Sequence, residues 1–299
     1  MKMLTIFTPT YNRAHLLPKL YETLRQQTDK GFEWLVVDDG SADGTNALFE
    51  DWSAAENGFP IRYVRQENGG KHRAINRAVP LAHGDWFYIV DSDDYLPENA
   101  VALINRWTAT ITDPEGFAGV SGLKIHEDGS IFGGVPQLGE RGYVDALNTQ
   151  RKRYHLGSEK AEVYRTAVLA RFPFPTYEGE NFASEGILGN AISEAGLKIR
   201  WFAEPACVCE YWPDGLTAQG VNQWEGHMKN PLGYLYMMRQ QLRLGTLKDR
   251  IIAIHSYGEI GVALGKSKRQ VAQDLGVPLP VCAGIDWGYK MRAAVLGNL

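Results

Sequence analysis

The sequence predicts an α/β fold in which a mostly parallel sheet carries helices on both faces, with a helical lobe at the C-terminus. Short apolar runs alternate with helical stripes through the first 100 residues, as they do in consecutive βαβ units. The run "DWFYIV" has almost no polar residue, which is typical of a central strand covered on both faces. Beyond about residue 216 the apolar residues recur at helical spacing.

Four short runs of apolar, β-branched and aromatic residues predict the first strands. They cover residues 4–8, 34–37, 61–64 and 85–91. After each of the first three runs, apolar residues recur every three or four positions, which predicts one helix in each gap. These helical stripes fall near residues 16–24, 48–52 and 74–82.

The pattern loosens after residue 100, although further elements can still be assigned. The sequence predicts a helix near 98–111, a strand near 117–126, helical segments at 164–172 and 183–196, and an extended segment at 198–210. We therefore predict an α/β domain over residues 1–215, divided near residue 100, and a helical region over residues 216–299.

The composition is that of a globular protein with a sizeable core, because 44% of the 299 residues are hydrophobic and 22% are charged. A net charge of −4 without a basic stripe gives no reason to expect a nucleic acid partner. The three cysteines form one C-x-C pair and no CxxC motif, which suggests reduced thiols in the cytoplasm. The sequence contains no run of about 20 apolar residues, so it predicts no membrane span. Peripheral contact with the membrane stays open.

Polar chemistry follows three of the four predicted strands. Strand one ends in "TPTYNR", strand two in "DDGS" and strand four in "DSDD". The carboxyl ends of parallel strands meet at one edge of the sheet, where α/β proteins bind their ligands. The sequence therefore predicts a ligand site at that edge, although Asp also caps strands and begins turns.

The most informative of these ends is "VDSDDYL". Asp91 and Asp93 are two residues apart, so both carboxylates can converge on one point in a turn. Two carboxylates repel each other unless a cation or donors lie between them. Mg²⁺ or Mn²⁺ prefers such oxygen ligands together with substrate phosphates. The alternative is an Asx turn that leads into the next helix.

The segment after strand two permits a second interpretation as a calcium loop. Asp39, Ser41, Asp43 and Glu50 fall at positions 1, 3, 5 and 12 of an EF-hand pattern. That loop requires a helix on both sides, whereas a strand precedes this one, and no partner loop is visible. We therefore expect a turn between a strand and a helix.

Four motifs occur in order: "TPTYNR", "VDDGSADGT", "ENGGKHRAINRA" and "VDSDD". This set resembles the family 2 glycosyltransferases, which have the GT-A fold. The resemblance is strong over residues 1–100, and weaker in "FPTYEGENFASEGI" and "CEYWPDGLT". It implies a nucleotide-binding half at 1–100 and an acceptor half at 101–215.

The resemblance also implies roles for individual residues. Asp39 would pair with the uracil edge, and Arg13 would help to neutralise the diphosphate. Asp93 and Asp91 would hold Mn²⁺ or Mg²⁺. The implied nucleotide-binding residues are Thr8, Pro9, Thr10, Tyr11, Arg13, Asp39, Asn68, Lys71, Asp91 and Ser92.

The general base implied by the family lies in "TYEGENFASEGILGN". Family members commonly have two acidic residues at the start of a helix, whereas this chain has Ser184-Glu185-Gly186. Glu185 is best placed relative to the helical run, and this departure leaves Glu180 and Glu178 as alternatives. Any of the three carboxylates could instead cap a helix or lie on the surface.

The expected function is therefore inverting, metal-dependent transfer of a sugar from a UDP-sugar to a hydroxyl. Surface polysaccharide synthesis in bacteria is the usual setting for such proteins. This implies a glycan or a lipid-linked acceptor. It also implies a cytoplasmic protein, which could act at the inner face of the membrane. The alternatives are a non-catalytic nucleotide-sugar-binding protein and, less favoured, a nucleotidyltransferase. The transferred sugar and the oligomeric state are not encoded in any readable pattern.

Overall fold

The structure is a computed structural model that describes residues 3–157, 159–210, 212 and 223–296, with side chains as far as residue 289. Contacts divide the chain into two compact units. Unit 1 comprises residues 1–174 and 191–213, and unit 2 comprises 175–190 and 214–299. This division differs from the sequence-based one because residues 175–190 group with the C-terminal helices.

Unit 1 is built on one sheet, which has nine strands within the described residues. The strands are β1 (Leu4–Thr10), β2 (Phe32–Asp38), β3 (Ile61–Arg65), β4 (Trp86–Ile89), β5 (Asp94–Tyr95), β6 (Phe117–Ile125), β7 (Val144–Ala146), β8 (Lys160–Arg165) and β9 (Lys198–Cys209). Their order is β3-β2-β1-β4-β8-β6-β9-β5, and β7 pairs with β9.

The strand directions confirm a mostly parallel sheet. β1 pairs in parallel with β2 and β4, and β2 pairs in parallel with β3. β8 is antiparallel to both β4 and β6, so β6 returns to the direction of β4, and β9 is parallel to β6. Six strands therefore have their carboxyl ends at the same edge of the sheet.

The helices of unit 1 cover the sheet and bury its aromatic side chains. They are α1 (Leu17–Arg25), α2 (Thr45–Ala54), α3 (Lys71–Ala78), α4 (Ala100–Ala109) and α5 (Thr166–Leu169). Trp34, Tyr88 and Trp107 are fully buried in the core between them. The helix predicted over 164–172 was wrong in part, because Tyr164 and Arg165 belong to β8.

The predicted C-terminal helical region is confirmed. α6 (Gly186–Glu194) crosses the boundary between the units, and unit 2 continues with α7 (Trp224–Lys229), α8 (Pro231–Leu244), α9 (Leu247–Ala263), α10 (Lys268–Leu275) and α11 (Leu279–Leu296). Its core forms where Leu235 and Met238 of α8 pack with Ile254 and Tyr257 of α9 and Val271 of α10. None of the helices in the described part of the chain is long and apolar enough to cross a bilayer.

Candidate active site at the carboxyl edge of the sheet

The end of β1 places two threonines in different surroundings. Thr8 is fully buried, and its hydroxyl accepts a hydrogen bond of 3.0 Å from the indole nitrogen of Trp34. The Oγ1 atom of Thr10 is buried without a hydrogen-bond partner among the described residues. Tyr11, the next residue, is 48% exposed. The Thr8 side chain therefore serves the core, while Thr10 and Tyr11 lie at the edge where a ligand would bind.

The loop after β1 is fastened to the loop after β2. The Asn12 amide donates to the Ser41 hydroxyl at 2.8 Å, and the Ala14 amide donates to the Asp43 carboxylate at 2.8 Å. Burial alone would raise the pKa of Asp43, but hydrogen bonds from Thr45 and Ala14 outweigh it and lower that pKa. Asp43 thus orders a turn that follows a strand, as expected in place of a calcium loop.

Asp39 fixes the start of α3. Its carboxylate is buried and accepts hydrogen bonds from the amides of Gly69 and Gly70 at 3.0 and 2.7 Å, and from Gln66 Nε2 at 2.7 Å. Asn68 donates to the Asp39 carbonyl at 3.0 Å. A carboxylate offers about four acceptor positions, so three bonds leave capacity for one more donor. Asp39 therefore has a structural role that still permits contact with a ligand.

The helix that Asp39 positions brings a cation to the aspartates after β4. Lys71 is the first residue of α3, and its ammonium lies 2.5 Å from a carboxylate oxygen of Asp91. Burial opposes ionisation of Asp91, but the charges of Lys71, Lys124 and Arg13 hold its pKa below the ordinary value. Arg13, Lys71 and Asp91, which follow three different strands, therefore come together at the carboxyl edge of the sheet.

Asp93 is the carboxylate of this group that most needs a cation. Burial, followed by the negative charges of Asp91 and Asp94, raises the pKa of Asp93 to about 6. A divalent cation between Asp91 and Asp93 would relieve that repulsion, and both carboxylates offer the hard oxygen ligands that Mn²⁺ and Mg²⁺ prefer. The donor set therefore fits such an ion. Ser92, between them, is buried.

Asp94 is held differently from its neighbours. Its carboxylate accepts a hydrogen bond of 3.0 Å from the buried ammonium of Lys124 in β6. Burial opposes the charge on Lys124, but the Asp94 carboxylate raises the pKa of Lys124 well above its ordinary value. Within the described residues, the one group of three potential metal ligands is Asp94 with Cys207 and Cys209. Since Lys124 already neutralises Asp94, we interpret this group as a buried ion pair that anchors the aspartate loop.

The three candidate bases all belong to unit 2 and differ in their contacts. Glu180 is buried, and its two carboxylate oxygens accept hydrogen bonds from the amides of Leu232 and Gly233 at 2.7 and 2.9 Å. These amides lie in the first turn of α8, so Glu180 caps that helix. Glu178 and Glu185 are exposed, and Glu185 immediately precedes α6.

Sequence and structure comparisons show which known proteins the chain is similar to. The sequence model described as glycosyl transferase family 2 matches residues 5–109. Residues 5–109 are therefore similar to the family 2 glycosyltransferases. Glycosyltransferase GlyG of Streptococcus pneumoniae serotype 4 is 33% identical over 104 residues, which are 34% of this chain and 34% of GlyG. The matched stretch covers a third of the length of GlyG and between 14% and 36% of the length of other curated relatives.

Similarity to two solved glycosyltransferase structures shows that the chain has the GT-A fold. TarS of S. aureus, residues 1–349 in complex with UDP-GlcNAc, has a TM-score of 0.61 at 16% identity, covering 97% of this chain and 92% of that one. Mannosyltransferase PcManGT from Pyrobaculum calidifontis, in complex with GDP-Man and Mn²⁺, has a TM-score of 0.54 at 20% identity, covering 100% and 76%.

Lys124 and Gln66 are two residues at this edge of the sheet that the sequence did not reveal. Lys124 lies 30 residues after Asp94, in a strand assigned only for its apolar pattern. A lysine inside such a strand is the one signal that could have identified it, because a buried lysine requires a partner. Gln66 carried no recognisable signal.

Proposed function

We propose that this protein is an inverting, metal-dependent glycosyltransferase that moves a sugar from a UDP-sugar to a hydroxyl of a glycan or lipid-linked acceptor. The observation that carries the proposal is the convergence of Arg13, Lys71, Asp91 and Asp93 at one edge of the sheet inside a family 2 domain. Two carboxylates flanked by two cationic side chains suit a metal–diphosphate group, because both signs of charge find partners.

The nucleotide would bind over the loops that follow β1 and β2. Asp39 retains capacity for one donor, and the uracil ring offers an N–H between two carbonyls. Thr10 has a buried hydroxyl without a partner among the described residues, which a ligand would satisfy. The complex of TarS with UDP-GlcNAc supports a UDP-linked donor, and the complex of PcManGT with GDP-Man and Mn²⁺ supports a divalent metal.

The proposed chemistry is a single displacement with inversion. The acceptor oxygen forms a bond to the anomeric carbon as the bond from that carbon to the diphosphate oxygen breaks. Glu185 takes the acceptor proton, and the nucleoside diphosphate leaves with the electron pair. Asp91 and Asp93 would hold Mn²⁺ or Mg²⁺, which supplies positive charge to the leaving diphosphate. Arg13 and Lys71 add further positive charge at the same edge.

A thermal-shift screen of nucleotide-sugars with and without Mn²⁺ tests the donor first. We expect UDP-sugars to raise the unfolding temperature only when Mn²⁺ is present, because metal and diphosphate bind together. Release of UDP is then measured with a panel of glycan acceptors. Binding without hydrolysis or transfer would replace the enzyme with a nucleotide-sugar-binding protein. Stabilisation by GDP-sugars alone would refute the role of Asp39 as a uracil contact.

A further inference from the structure

A cleft opens at the carboxyl edge of unit 1, on the side of the aspartates away from β2 and β3. It has a volume of about 850 Å³ and follows the ends of β6 and β9, where Glu127, Asp128, Glu210 and Trp212 line it. A smaller cavity of about 130 Å³ shares Glu210 and Trp212 with the cleft and is also lined by Asp93. We call the two together the acidic cleft.

The acidic cleft is negatively charged. Its carboxylates are Glu127, Asp128, Glu210 and Asp93, whereas Lys19 is the one lysine or arginine among the described residues that line it. The Lys19 ammonium contacts Glu210 and lies 3.3 Å from Glu127, so a single cation serves two of the four carboxylates. Asp94 also lines the smaller cavity, but Lys124 balances its charge.

The acidic cleft also offers aromatic surface. Trp212 packs edge to face with His15, with ring centres 6.3 Å apart, and Tyr95 lies below the Lys19 ammonium. The indole N–H of Trp212 is buried and has no hydrogen-bond partner within the described part of the chain. Carboxylates accept hydrogen bonds from sugar hydroxyls, while an indole offers an apolar face and one donor. This combination suits a hydroxyl-rich ligand.

We propose that the acidic cleft is the acceptor site and that it selects a glycan without negative charge, either neutral or carrying free amines. The proposal rests on the proposed function, since it names the acceptor of that reaction. The nucleotide would occupy the loops after β1 and β2, so the part of the acidic cleft that follows the ends of β6 and β9 is left for the acceptor. Phosphate or carboxylate groups on an acceptor would face Glu127, Asp128 and Glu210, whose charges Lys19 balances only in part. Like charges at an interface are strongly unfavourable.

Binding of three oligosaccharides of matched length provides the test. We choose chitooligosaccharides as neutral ligands, their deacetylated forms as amine-bearing ligands, and hyaluronan oligosaccharides as anionic ligands. Calorimetry with UDP and Mn²⁺ present should detect binding of the neutral and the amine-bearing ligands. The hyaluronan oligosaccharides should bind at least about tenfold more weakly than either. High ionic strength should narrow that difference, because salt screens charge repulsion.

Two double variants with the same change in net charge distinguish the effect of the carboxylates in the acidic cleft from the effect of the overall charge of the protein. E127Q/D128N removes two carboxylates just after β6, and D113N/E115Q removes two just before β6, at the opposite edge. Asp128 and Asp113 both accept a backbone hydrogen bond in a turn, which Asn retains. We expect the first variant to bind hyaluronan oligosaccharides about tenfold more tightly and the second to match the wild type.

The results distinguish this inference from the proposed function. Stronger binding of the anionic ligand by the wild type, or equal effects of the two double variants, would overturn the acidic cleft as a selective acceptor site. Failure of UDP and Mn²⁺ to bind while neutral glycans still bind would instead overturn the proposed function and leave the ligand class of the cleft supported.

Discussion

The two carboxylates Glu180 and Glu185 are five residues apart, and the same Glu→Gln change should have opposite consequences at each. Glu180 is buried and caps α8 through the amides of Leu232 and Gly233, whereas Glu185 is exposed at the start of α6. We expect E180Q to lower stability with little effect on turnover. We expect E185Q to abolish turnover with little effect on stability.

The cost at Glu180 follows from its two hydrogen bonds. Glutamine has one acceptor oxygen in place of two, so E180Q keeps one bond and faces its amide group towards the second N–H. Loss of one bond to a charged acceptor, and of the charge at a helix N-terminus, costs about 1–2 kcal/mol. E180A removes both bonds and leaves the buried Gly233 amide without a partner, which costs about 2–4 kcal/mol in total.

Thermal unfolding and UDP release measured on the same samples provide the assay. Glu180 and α8 belong to unit 2. In a unit of that size, about 100 residues, a destabilisation of 1 kcal/mol lowers the unfolding temperature by about 4–8 °C. E180Q should therefore unfold about 4–16 °C lower, and below that transition its transfer rate should stay within a few-fold of the wild type. E185Q should unfold with the wild type, retain UDP binding and lose about 10²–10⁴-fold in rate.

The reasoning would be refuted by the reverse pattern. If E180Q loses transfer at an unchanged unfolding temperature, the base is Glu180 and the contacts with α8 are incidental. If E185Q and E180Q both retain activity, E178Q becomes the decisive variant, because Glu178 is the remaining acidic residue of the segment. Loss of UDP binding in E185Q would place that residue on the donor instead.

Two further predictions concern unit 1. K124M leaves the buried Asp94 carboxylate without its cationic partner and should cost about 3–5 kcal/mol in denaturant unfolding, whereas K124M/D94N should recover most of that loss. A K124M variant as stable as the wild type would contradict the anchoring role. Burial, then the neighbouring Arg73, lowers the pKa of His72 to about 4, so His72 is neutral in the fold but gains a proton in the unfolded chain below about pH 6.5. The contribution of neutral His72 to stability is complete above that pH and is lost as the pH falls towards 4. The free energy of unfolding of H72Q relative to the wild type should therefore rise by about 3 kcal/mol from pH 7 to pH 4, and no pH dependence in that difference would contradict the account.

The sequence predicted the first half of the fold closely because its strands are buried on both faces and its helices carry clear apolar stripes. β1 to β4 and α1 to α3 lie where the runs and stripes placed them. The short strands β5 and β7 were missed, since two or three residues contain no measurable periodicity. β8 was missed because "KAEVYR" mixes buried and polar residues and leads directly into a helical turn.

The candidate site was predicted as a set of strand ends, and the structure brings together the parts that follow the strands of unit 1. Distances across the chain could not be predicted. The bond from Lys124 to Asp94 joins residues on nonadjacent elements, and the hydrogen bonds of Glu180 depend on where α8 begins. A motif also does not reveal which of its side chains serve the core. The motif that contains Thr8 implied a ligand contact, whereas the Thr8 hydroxyl accepts a hydrogen bond from Trp34 in the core.

The measurement that tests the central claim most directly is UDP release by D93N compared with the wild type, with Mn²⁺ and an active donor–acceptor pair. The account predicts a folded variant whose rate falls by about 10³-fold and whose response to Mn²⁺ disappears, because Asp93 loses the charge that would hold the metal at the leaving diphosphate. A rate close to that of the wild type, with an unchanged response to Mn²⁺, would contradict it.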